Sequence, residues 1–430
     1  MARPRVADRR GFREGAIVTS GSAASIAMHW LALVAGLGIL AVATREVMAS
    51  MLVPRATRAR LVHYMDRAAN RTVRWVALRR PRFESRDHVL SYVVPVALVY
   101  LLLSFVLAYM AAFGLLTWAF GGNLGGAFYE AGATLTTLGF VGDPNAGQVV
   151  VGLVAALVGL ALVAVLIGYL LALYGAYGDR ERVVAELGQL AGEPAWGPEM
   201  LCRSHLIGDA GGALGYDASD LRDWMIGIRT LQTASPLLNH MRTPIPQRSW
   251  AVTLIAVTDA AALRVTAVEG GAGDVAAVRL VAEGSTTLAA LEGAHLYRSG
   301  RGSIGDLSSV AIASVADAVT DDPRLARVMR SVAIDASLSS TVPGPGPDPD
   351  PRISRDDWES ALALLEAAGI TLVADRDRAW HRFSAIRAAY ASSAEALVNR
   401  LYSVRAPWTG PRTPETDVVW PHLAMDPGHS

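Results

Sequence analysis

The chain has 430 residues, a formal net charge of zero, 52% hydrophobic and 18% charged residues, and a mean hydropathy of +0.31. A zero balance argues against a nucleic-acid partner, and so small a charged fraction is below that of an ordinary soluble protein. The one cysteine, Cys202, excludes intrachain disulfides and cysteine-based zinc sites, and reads as a small buried apolar side chain.

All 39 basic residues are arginine, which reflects coding bias more simply than function. Most of the apolar excess lies before about residue 178, in three uncharged runs, 23–44, 89–113 and 149–177. A bilayer core of about 30 Å takes about 20 helical residues, so each run predicts a membrane span. Residues 1–50 are therefore read as an N-terminal segment and first span. Run 23–44 is long for the apolar core of a cleaved signal peptide, which makes that the weaker reading. Pro95 falls near the start of the second run, where a helix accepts it.

Residues 51–88 form a basic linker carrying ten arginines, from Arg55 to Arg86, against Asp66, Glu84 and Asp87. The positive-inside bias places this linker, and with it the C-terminal half, in the cytoplasm of a multi-pass protein of the cell membrane. Arg3, Arg5, Arg9, Arg10 and Arg13 then fall outside, and ten arginines against five set the balance.

The link between the second and third runs, 114–148, holds only two charged residues, Glu130 and Asp143. It is too apolar for an outer domain and too long for a tight turn, which predicts a loop that enters the membrane and returns, over 118–146. Irregular backbone at that depth must be buried in protein or line a water-filled path.

The stretch Ala127-Phe128-Tyr129-Glu130-Ala131-Gly132-Ala133-Thr134-Leu135-Thr136-Thr137-Leu138-Gly139-Phe140 resembles the pore helix and filter of two-span, ion-channel-2-type bacterial potassium channels. That family's pattern is an aromatic pair, a short helix and T-x-T-T-x-G-[YF]-G-D. The resemblance covers about a fifth of the chain, within a two-span pore domain at 89–178. It implies a filter of Thr136, Thr137, Leu138, Gly139, Phe140, Val141, Gly142 and Asp143, with K+ held by Thr137, Leu138, Gly139 and Phe140. It also implies a pore helix bearing Glu130 and Thr134, and a gating hinge at Gly159; close helix packing accounts for that glycine equally well. One loop supplies a quarter of a filter, so the unit implied is a homotetramer embedded in lipid. No cofactor is implied, potassium being the permeant ion. The chain departs from the pattern at Gly139-Phe140-Val141-Gly142-Asp143, one residue longer than G-[YF]-G-D. The inner sites are expected to survive Val141, while the outer sites and potassium selectivity depend on it.

The remainder is expected to be helical and aqueous. A helical domain spans 179–342, a Pro/Gly linker 343–352, a helical hairpin 353–405 and a Pro-rich tail 406–430. Ser354-Arg355-Asp356-Asp357 is a capping pattern and Gly369 a stop. Trp380, Phe383, Ile386, Tyr390, Ala394, Leu397 and Leu401 recur at helical spacing. The apolar run 250–263 is short for a span and contains Asp259, which predicts a buried helix. Gly208 to Gly215 lacks the phosphate-loop pattern and reads as an interhelical loop. No catalytic constellation is visible, so an enzyme is not expected. The function expected is a passive cation channel, with a non-conducting membrane anchor for a helical interaction or sensor domain as the alternative. An unidentified cytoplasmic ligand or protein is the partner left for the C-terminal half.

Overall fold

A computed structural model describes residues 11–52, 60–139, 144–208, 214, 216–298 and 352–409. Regular structure among them is helical, with one isolated antiparallel bridge between Val268 and Leu372. The α-helices are α1 (Gly11–Val47), α2 (Arg60–Ala77), α3 (Phe83–Leu90), α4 (Val93–Ala119), α5 (Leu124–Leu135), α6 (Ala146–Ala191) and α7 (Gly197–Ile207). They continue as α8 (Ala218–Ala234), α9 (Pro236–His240), α10 (Trp250–Ala267), α11 (Val275–Arg298), α12 (Arg355–Ala367) and α13 (Arg376–Leu401). Segments 24–51, 83–119, 146–191 and 250–267 are long and apolar enough to cross a membrane.

The chain divides into two units, the first comprising residues 1–65 and 98–172. Its core is a ridge on α4, where Leu101, Phe105, Tyr109 and Phe113 recur every fourth residue and so stack on one helix face. Ala43 and Val47 of α1, Ala131 and Leu135 of α5, and Ala155 and Leu162 of α6 pack on it. Close approach of α1 to α4 depends on Gly36, where a Cβ would stand 3.0 Å from the Ala112 carbonyl oxygen. Tyr109 adds a hydroxyl donated to Thr44 Oγ1 at 3.3 Å. The outward faces stay apolar, with Leu31, Val34, Leu103, Leu107, Leu157 and Leu171 exposed. Helices apolar on every face suit a hydrocarbon surrounding or a further packing partner.

The second unit comprises residues 66–97 and 173–430. Helix α10 is its axis: every residue of it except Arg264 is buried. Its apolar length, which resembles a span in composition, is consumed inside a bundle formed with α7, α11 and α13. Helices α12 and α13 share one core with α7, α8, α10 and α11, so the chain before and after 343–352 meets in a single hydrophobic interior. Ser354 caps α12 by accepting from the Asp357 amide, and Gly369 follows that helix with φ +87°. On α13 the residues Phe383, Ile386, Tyr390, Ala394, Leu397 and Leu401 are buried, as their spacing requires. Cys202 on α7 is buried too, and that burial pushes its thiol up to about 12.

A buried polar triad joins α10 to α13. Asp259, Arg387 and Tyr390 are each no more than 2% exposed. The Arg387 guanidinium lies 2.8 Å from Asp259 Oδ1, and the Tyr390 hydroxyl donates to the same oxygen at 2.6 Å. Arg242 ties other parts of this unit by pairing with Asp87 and donating to the Leu401 carbonyl.

Burial, together with Arg242, Arg400 and Arg74, pushes His240 below its ordinary value of 6.5 against the opposing pull of Asp66. The unfolded chain thus binds a proton there that the folded chain resists. The associated stability is present above pH 6.5 and is lost as the pH falls below it toward the folded value. Thermal unfolding should show this decline, and His240→Asn should flatten it; an unchanged slope in the variant would assign the decline to other groups.

Candidate functional site

The site is built around α5, twelve residues between two long apolar helices. At 1.5 Å per residue α5 spans about 18 Å, well short of a bilayer core. Its start is made by two glycines with positive φ, Gly121 (+118°) and Gly122 (+87°), and by the cap Asn123, whose Oδ1 accepts from the Gly126 amide at 2.6 Å. Phe128 anchors it to α4, its ring filling the place that a Gly114 side chain would take, 2.9 Å from a Cβ built there.

The other end of α5 closes in a Schellman motif. The Leu138 amide donates to the Ala133 carbonyl at 2.7 Å, and the Thr137 amide to the Thr134 carbonyl at 3.0 Å. The residue between these bonds must be left-handed, a position usually held by glycine. Here it is Thr137, with φ +62°. That conformation costs a non-glycine residue about 1–2 kcal/mol, which the two closing bonds offset.

The closing bonds fix where the backbone oxygens go. Both the Leu138 and Gly139 amides point back at the Ala133 oxygen, at 2.7 and 3.4 Å. Across a planar trans peptide the C=O is antiparallel to the following N–H. The Thr137 and Leu138 carbonyls therefore both point away from α5. They leave its C-terminal end, where the helix dipole is negative. Residues 136–139 are exposed, Leu138 at 74%, and Gly139 has φ +108°. Two carbonyls directed away from a negative helix end make an arrangement suited to a cation.

The hydroxyls do other work. Thr134, buried, donates to the Glu130 carbonyl at 2.8 Å, and Thr136 to the Gly132 carbonyl at 2.8 Å. Glu130 is 8% exposed, and its Oε1 has no hydrogen-bond partner among the described residues. Phe140, Val141, Gly142 and Asp143 lie outside the described residues.

Gly159 of α6 sits directly against the end of α5. A Cβ there would lie 2.1 Å from the Leu135 carbonyl oxygen, so no other residue fits without moving backbone. Helix α6 itself runs unbroken through this position.

Sequence reading passed over the clamp between the end of α4 and the start of α6, although its signature was present. Asn145 and Gln148 form a capping box at the start of α6, each side chain accepting from the other's amide at 3.0 Å. The same side chains donate to the Phe120 and Gly121 carbonyls, at 2.9 and 3.1 Å, and so tie the end of α4 to the start of α6.

These features define an all-helical protein with several apolar helices compatible with repeated passage through a membrane, two of them bracketing a short helix and an exposed loop. No protein-family model, curated protein or solved structure matches the chain.

Proposed function

We propose that the chain forms a passive cation channel, conducting potassium, as a homotetramer in the cell membrane. In this reading α5 is a re-entrant pore helix and the loop after it one quarter of the filter. The observation that carries it is that the Thr137 and Leu138 carbonyls both point away from the C-terminal end of a helix too short to cross the bilayer. Four copies would replace the hydration shell of a cation with such carbonyls, Gly139 and Phe140 extending the set. The exposed apolar residues of α6, Leu157 and Leu160 among them, supply surface for lipid or for another copy. The basic segment 51–88 and the C-terminal half face the cytoplasm. Asp143 forms the outer ring that concentrates cations, and Glu130 is a carboxylate held at membrane depth.

The test is cation flux in liposomes holding the purified tetramer, with potassium and sodium compared. Gly139→Leu places a side chain on a backbone with φ +108°, and flux should fall by at least about tenfold. Deleting Val141 should raise the potassium-to-sodium ratio by shortening the loop to the length of the channels it resembles. Absence of flux for both ions, in a preparation shown to be tetrameric and across voltage and pH, would overturn the proposal in favour of a membrane anchor.

A further inference from the structure

From residue 66 on, α2 belongs to the second unit and carries two unlike faces. Ala69, Val73 and Ala77, four residues apart, are buried. Val73 and Ala77 share a small core with Leu90 of α3 and Val93 of α4. That core holds the end of α2 against the first turn of α4, part of the segment 83–119 that is long and apolar enough to cross a membrane.

The other face, Arg67, Arg71, Trp75 and Leu78 at spacings of four, four and three, is exposed. Trp75 is 60% and Leu78 57% exposed, with Val76 beside them, so large apolar groups cluster where the charge is densest. That charge is one-sided. Arg67, Arg71, Arg79, Arg80 and Arg82 are exposed, and none has an ion-pair partner among the described residues. Of the three acids in 66–97, Asp87 is taken by Arg242 and Asp66 is buried beside His240, which leaves Glu84.

Cation and aromatic ring are also joined directly. The Arg79 guanidinium lies over the Trp75 ring, 3.5 Å from its centroid, which leaves the N–H edges of that plane open. Such an edge is a fork that matches phosphate. Unpaired cations call for an anion, and an exposed indole and leucine call for hydrocarbon below it. A phospholipid surface offers both at one depth. A second copy of this face would set arginine against arginine, and the first turn of α4 close by favours the bilayer over a soluble polyanion.

We propose that this face of α2 docks on anionic phospholipids of the leaflet that α4 enters. The arginines hold the headgroup phosphates, and Trp75 and Leu78 sit in the layer between headgroups and acyl chains. The proposal rests on α4 entering the membrane and not on conduction.

The test places the full-length protein in nanodiscs of equal parts phosphatidylcholine and phosphatidylglycerol, with dibrominated acyl chains on one lipid or the other. Bromine quenches indole fluorescence at contact. The chain has ten tryptophans, so the Trp75 contribution is read as the difference between wild type and Trp75→Phe. Each arginine near an anionic surface strengthens binding about fivefold, so brominated phosphatidylglycerol should quench Trp75 at least about three times as strongly as brominated phosphatidylcholine. Arg67→Gln combined with Arg71→Gln and Arg80→Gln should at least about halve that ratio. All three side chains are exposed, so this variant keeps the fold. Equal quenching by the two lipids, no quenching of Trp75, or an unchanged ratio in the arginine variant would overturn the proposal. Unquenched Trp75 whose emission shifts with added poly-glutamate would overturn it in favour of an acidic protein partner. A protein that fails to enter the nanodisc would overturn it together with membrane passage, whereas the other results bear on this face alone.

Discussion

Gly159→Leu is expected to abolish flux and to destabilise the first unit by about 1–3 kcal/mol, the usual cost of forcing extra atoms into a filled contact. The space does not exist: the first added carbon already falls 2.1 Å from the Leu135 carbonyl oxygen. That oxygen belongs to backbone, and it lies two residues before Thr137. Relief by side-chain rotation is therefore closed, and either α6 moves outward or the end of α5 turns. Turning α5 would carry the Thr137 and Leu138 carbonyls with it, so a packing fault becomes a functional one. Gly168→Leu is the matched control, because a Cβ at Gly168 meets nothing within 4 Å. Denaturation of the purified protein and liposome flux, measured on both variants, check the expectation. Equal behaviour of the two variants would separate the Gly159 contact from the function.

Arg387→Met is expected to destabilise the second unit by about 3–5 kcal/mol, the cost of breaking a buried ion pair by removing one partner. Asp259 would remain buried with only the Tyr390 hydroxyl as donor. In the intact triad, burial raises the Asp259 carboxyl above its ordinary value while Arg387 and the Tyr390 hydroxyl pull it down. Removing Arg387 leaves the raising effect opposed by the hydroxyl alone. The double variant Asp259→Leu with Arg387→Met should recover much of the loss, because a well-packed apolar pair avoids the desolvation that the charges suffer. Thermal unfolding followed by circular dichroism reads both. A double variant as unstable as Arg387→Met alone would show that shape, rather than charge, is what the triad contributes.

The readable part of this fold was periodic or compositional. Long apolar runs gave α1, α4 and α6, because a helix apolar on every face has few alternatives. The Ser354 cap, the Gly369 stop and the spacing from Phe383 to Leu401 were legible because caps and helix faces are local properties. That run 250–263 forms a buried helix was legible from its length and from Asp259. The partners that surround α10 were hidden, since they come from α7, α11 and α13.

Of the candidate site, the resemblance of one short segment to a channel pore loop pointed to Thr137, Leu138 and Gly139, and the apolar runs placed them between two helices. The sequence likewise carried the Asn145–Gln148 signature, one residue pattern within a single turn. It did not determine that Thr137 takes the left-handed place in a Schellman motif, nor that two carbonyls leave α5 together. Those follow from bonds back to Ala133, whose formation depends on how α5 is held between Gly114 and Gly159. Nor did it pair Asp259 with Arg387, 128 positions away. Local pattern fixes which face of a helix is apolar or charged; only packing decides which two faces meet.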